Sequence, residues 1–122
     1  MEKPYIKKAV ERLIKNQNKD GRWEEHYTNY FSPTFIKGGS TAEHTSWCIL
    51  ALLDCGVTPL SDTIINGIMY LLKLQREDGS FPSSYTATAI DSVKYEIYSA
   101  VFPLLAMSKW FRMVRSDNYE NS

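Results

Sequence analysis

The sequence has no excess charge of either sign: 14 acidic side chains balance 14 basic ones over 122 residues. A neutral chain presents no broad field to a polyanion, which argues against nucleic acid as a partner. Histidines number two and cysteines two, Cys48 and Cys55. Seven residues apart in one helical run, the thiols share a face about 10 Å apart along its axis, too far for a disulfide. With no Cys-x-x-Cys pair and no His-rich tract, no metal site and no cofactor are implied. Free thiols fit a reducing, cytoplasmic compartment. No apolar run reaches the roughly 18 residues that a membrane span needs. Charges interrupt the apolar spacing of "MEKPYIKKAVERLIKNQ", so the start does not read as a signal peptide.

What the chain does have is apolar and aromatic content. The hydrophobic fraction is 43%, with eight tyrosines, five phenylalanines and three tryptophans, enough for one ordinary domain spanning residues 1–122. Ile6, Ala9, Val10, Leu13, Ile14 and Gln17 recur at helical steps with lysine and glutamate between them. This predicts an amphipathic helix with Pro4 in its first turn, ending near Asn18 before the Asp20-Gly21 turn. The segment from Asp62 to Gln75 has the same design and ends at Glu77-Asp78-Gly79. Shifted by 58 residues, Leu13, Lys15, Gln17, Asp20 and Gly21 fall on Leu71, Lys73, Gln75, Asp78 and Gly79, and Trp23 falls on Phe81. So many agreements in one register define an internal repeat.

Each copy leads through a loop to a helix of another kind. "TSWCILALLDCG" (Thr45 to Gly56) and "EIYSAVFPLLAMSKW" (Glu96 to Trp110) are apolar on nearly every side, and such helices must be surrounded. Pro103 should kink or restart the second of them. The expected fold is therefore all-α: two tandem α/α hairpins, each an amphipathic outer helix with a buried inner one, forming a partial α/α barrel. The connections, about Arg22 to Gly39 and Ser80 to Lys94, exceed the usual helix–helix loop and are rich in aromatics. They either carry function or pack beneath themselves.

"QNKDGRW" (Gln17 to Trp23) and "QREDGSF" (Gln75 to Phe81) resemble the QW repeats of squalene–hopene and oxidosqualene cyclases. In that family the glutamine bonds the next helix and the aromatic stacks at the turn. "STAEHTSWCILALL" resembles the buried helix between two such repeats, and "YEIYSAVFPLLAMSKW" resembles the family's terminal block. The similarity covers nearly the whole chain but only the last portion of a full cyclase. It implies a terpenoid cyclase/prenyltransferase toroid, an apolar cavity, and cyclisation or rearrangement of an isoprenoid.

The departures bear on activity. The family's Asp-x-Asp-Asp acid is absent, as is the Asp-Asp-x-x-Asp metal motif of the other terpene synthase class, and every aspartate here is isolated. Tyr95 and Tyr98 stand where family tyrosines line the pocket, while Ala87 and Asp91 stand roughly where it has phenylalanines. The candidate acids are Asp91, His26 and His44; against these, the favoured reading of Asp91 is a helix cap, and that of the histidines is surface or helix-start placement. Candidate substrate contacts are Tyr27, Tyr30 and Phe31 in the first loop, with Trp47, Tyr95, Tyr98 and Phe102 around the inner helices. Gln17, Gly21, Trp23, Gln75, Gly79 and Phe81 read as structural staples rather than chemistry. The tail "KWFRMVRSDNYENS" either packs on the first repeat or anchors weakly at a membrane surface.

Two helix pairs are too few to close a barrel, so the inner helices should keep an open side. A homo-oligomer, a partner cyclase subunit, or collapse into a small bundle would each resolve that. Two functional readings follow: a cyclase-like isomerase or subunit of one, which is favoured, and a non-catalytic prenyl-binding or assembly module.

Overall fold

The computed structural model describes residues 3–23, 41–82 and 96–120, except for the side chains of 41, 96–99 and 117–120. Among the described residues all regular structure is helical: α1 (Pro4–Lys15), α2 (Thr41–Asp54), α3 (Asp62–Leu74) and α4 (Glu96–Glu120). The expected all-α order of outer and inner helices is thus present. The most extensive helix packing is between the inner helices α2 and α4, followed by α2 with α3.

The outer helices begin and end as their sequences dictate. Pro4 occupies the first turn of α1, where its missing N–H costs nothing. α1 stops at Lys15, earlier than the spacing suggested, with Asn16 as its C-cap. Ser61 caps α3 by accepting a hydrogen bond from the Ile64 N–H. The two helices bury matching positions to different depths. Ile64, Ile68 and Leu71 of α3 are at most 2% exposed, whereas α1 has no fully buried residue and Ile6, Val10 and Leu13 are only half-buried.

The two glycine turns are near duplicates. In the first, Asn18 N–H donates to Arg22 O (2.9 Å), Gly21 N–H to Asn18 O (2.9 Å) and the Gln17 amide to Gly21 O (2.9 Å). In the second, Arg76 N–H donates to Ser80 O (2.8 Å), Gly79 N–H to Arg76 O (2.9 Å) and the Gln75 amide to Gly79 O (3.1 Å). Asp20 and Asp78 each accept from the backbone N–H two residues on. At Asp78 the Ser80 hydroxyl and then its N–H hold the carboxyl below its usual range. Gly21 and Gly79 both take left-handed φ values, +99° and +90°.

Their surroundings differ. The Gln17 amide also donates to Thr63 O of α3 at 2.9 Å. Gly21 lies so close to α3 that a Cβ there would stand 2.1 Å from Asn66 O. Trp23 completes the joint, with its indole N–H donating to Leu13 O (2.8 Å) and its ring over Gly67. Trp23 and Phe81 are both buried members of one core with Ile49, Leu52, Ile64, Leu71 and Ala106.

The inner helices depart from expectation at α4. It runs unbroken through Pro103 to Glu120 rather than ending near Trp110. Pro103 is fully buried, and packing on both sides of it outweighs the single backbone hydrogen bond that proline forgoes. Beyond it, the Trp110 indole N–H donates to Pro59 O (2.9 Å) and Lys109 pairs with Asp54, tying α4 to the end of α2 and the α2–α3 connection. Among the described residues Val101, Leu104, Leu105 and Phe111 of α4, at 39–62% exposure, form an exposed apolar face.

The asymmetry between the turns has a measurable consequence. Gln17→Ala removes a bond to α3 and should destabilise the chain by about 1–2 kcal/mol, while Gln75→Ala at low protein concentration should cost under about 0.5 kcal/mol. Urea unfolding of both variants checks this, and equal losses would contradict it.

Candidate functional site

The first turns of α2 sort their side chains by chemistry. Glu43, Thr45 and Ser46 point inward and are at most 1% exposed. The Ser46 hydroxyl donates back to Ala42 O (2.6 Å). Thr45 Oγ1 accepts from the Trp23 N–H (3.0 Å) and donates to Trp23 O (3.4 Å), clamping the first glycine turn to the inner helix. Sequence reasoning missed Thr45; a hydroxyl on a helix expected to be buried was the available signal.

His44 and Trp47, three residues apart, share the other flank of α2. Their rings meet edge to face with centroids 5.5 Å apart. Trp47 in turn meets Phe102 of α4 edge to face, with centroids 5.3 Å apart and planes at 76°. Three candidate residues from two inner helices thus form one aromatic edge, and Trp47, 37% exposed, opens it to the outside. Aromatic faces attract developing positive charge, so the edge is suited to an apolar ligand that passes through a cationic state.

The other candidates stand apart from this description. Asp91, His26, Tyr27, Tyr30, Phe31 and Tyr95 lie outside the described residues, as does the side chain of Tyr98 on α4. Lys109, Arg112, Met113 and Ser116 line a shallow open hollow that includes none of the candidate residues. Among the described residues no group of three or more histidine, cysteine or acidic side chains is placed to hold a metal ion. None of the described helices is long and apolar enough to cross a membrane.

An all-helical repeat stitched by glutamine–glycine–aromatic turns, with an aromatic edge on its inner layer, defines a terpenoid-cyclase-like class of scaffold. Residues 1–112 match the model of the squalene–hopene cyclase C-terminal domain, and the chain belongs to that family. It is 37% identical to the squalene–hopene cyclase of Bradyrhizobium diazoefficiens over 94% of its own length and 18% of that enzyme's. The squalene–hopene cyclase of Alicyclobacillus acidocaldarius is 35% identical over 70% of this chain and 14% of the enzyme. The dammaradiene synthase of Dryopteris crassirhizoma is 31% identical over 78% of this chain and 15% of the synthase. The chain therefore spans less than a fifth of the length of these curated relatives.

The two thiols flanking this layer should differ in reactivity. Cys48 and Cys55 are both free, and burial pushes the Cys48 thiol up to about 12. At about pH 8 its thiolate fraction is then on the order of 10⁻⁴. Iodoacetamide should modify Cys55 first and reach Cys48 only after denaturation, as peptide mass spectrometry would show.

Proposed function

We propose that this chain forms one wall of a terpene-cyclase-type cavity and acts in the cyclisation or rearrangement of an isoprenoid or similar apolar substrate. The cavity is completed by further copies of the chain or by a partner cyclase subunit. The observation that carries this reading is the His44–Trp47–Phe102 edge, built from two inner helices of a cyclase-family repeat and open at Trp47. The exposed apolar face of α4 supports the need for a covering partner. Trp47 and Phe102 steer the substrate and stabilise positive charge on it; Tyr27, Tyr30, Phe31, Tyr95 and Tyr98 extend the lining. The initiating acid is Asp91, His26 or His44, or is supplied by the partner. The exposed Phe111, with the Arg115 guanidinium 5.7 Å from its ring centre, gives the tail an amphipathic character suited to weak membrane-surface association.

A second reading, a non-catalytic prenyl-binding or assembly module, is favoured by the lack of an Asp-x-Asp-Asp cluster in the sequence. Incubation with squalene and shorter polyprenyl compounds, followed by mass spectrometry of products, separates the two. The enzymatic reading expects cyclised product that falls about 2- to 30-fold with Trp47→Leu, the worth of one aromatic face, and largely recovers with Trp47→Phe. Saturable quenching of tryptophan fluorescence by the polyprenyl probe without turnover would establish the binding module instead.

A further inference from the structure

The two glycine turns share their internal bonding but not their surroundings. The first grips α3: Gln17 donates to Thr63 O, Gly21 lies against Asn66 O, and Trp23 covers Gly67. The second has the same internal bonds and the same left-handed glycine, yet among the described residues the only acceptor of its Gln75 amide is Gly79 O. Among the described residues a Cβ on Gly79 would meet only Gln75 Nε2, at 3.9 Å, where one on Gly21 would strike α3. Among the described residues, then, no helix backbone meets Gln75 and Gly79 as α3 meets Gln17 and Gly21.

The chain also carries the matching helix. In the 58-residue register, Thr63, Asn66 and Gly67 of α3 correspond to Tyr5, Lys8 and Ala9 of α1. All three α1 residues are exposed. The inward row Ile6, Val10 and Leu13 is only half-buried where Ile64, Ile68 and Leu71 are sealed. α3 is sealed partly because the first turn covers it, and α1 has no equivalent cover among the described residues. Phe81 is already buried in the core of its own chain, so the exposed part of the second turn is Gln75 and Gly79.

We infer that the second turn of one chain grips α1 of a second copy as the first turn grips α3, with Gln75 donating to Tyr5 O and Gly79 against Lys8 O. The joint is heterologous, head to tail, so it leaves an open turn at one end of the assembly and an open α1 at the other unless a ring closes. It specifies the assembly invoked under the proposed function, and its test uses no ligand, so it can fail while cyclase chemistry stands, and the reverse.

Sedimentation equilibrium of the full chain should show a mass that rises above the monomer with concentration. Gln75→Ala and Ala9→Trp, both at exposed positions, should each weaken association by about tenfold or more with unchanged helical circular dichroism. In a Cys55→Ser background, a bis-maleimide should link Tyr5→Cys chains to Glu77→Cys chains in a mixture, and neither variant to itself. A monomer at every concentration would overturn the inference. So would self-linking of Tyr5→Cys chains, or an association that Leu104→Ser abolishes and Gln75→Ala leaves intact.

Discussion

One glutamine amide and one bare glycine set the geometry on which this structure depends. Gln17 bonds both to its own turn and to the backbone of α3, and Gly21 approaches that backbone more closely than any side chain would allow. α1 could not make this joint by apolar packing alone, because it has no fully buried residue to anchor it. The hydrogen bonds tie the turn to the backbone at the start of α3, and the close approach brings Trp23 into the core shared by α2 and α3. Thr45 then locks the backbone of Trp23 to the inner layer. Outer helix, turn and inner helix are thereby fixed in one place by a few directional contacts. The apolar area around them supplies the bulk of the stability.

Among the described residues, what covers α3 has no counterpart over α1, and what Gln17 grips has no counterpart at Gln75. In the inner layer α4 exposes leucine, valine and phenylalanine along one side. Solenoid-like folds bury each unit on its neighbours, which is the basis of the assembly proposed above. The chain corresponds to less than a fifth of each of the cyclases described above.

Much of this was legible in the sequence, and the limits have physical reasons. The helices and turns followed from period and from Asp-Gly punctuation, which are local signals. The length of α4 did not, because the proline rule is local, whereas burial of Pro103 and the Trp110 bond to Pro59 depend on chain more than 40 residues away. The likeness of the two turns was readable, but not that, among the described residues, only the first meets a helix backbone, since that is a property of the helix opposite. Trp47, Phe102 and His44 could be named as aromatic candidates. Their meeting in one edge rests on the α2–α4 packing, which no spacing within either helix specifies. Thr45 was missed for the same reason, as its role lies in a partner 22 residues away.

Assembly and chemistry are linked through water. An aromatic face stabilises a cation by about 0.5–1 kcal/mol when exposed and by about 2 kcal/mol or more when desolvated. Trp47 in the single chain is more than one-third exposed, so its edge stands at the weak end of that range. A carbocation intermediate also demands a dry site, because water would quench it before rearrangement. Covering the apolar face of α4 would exclude water from the neighbouring Phe102 and Trp47 in the same step. For a cyclase-type role, the contacts that complete the helical layer are then also the contacts that make its aromatic edge effective. On that proposal the glycine turns, read as structural staples, would act on such chemistry only by deciding whether the layer closes.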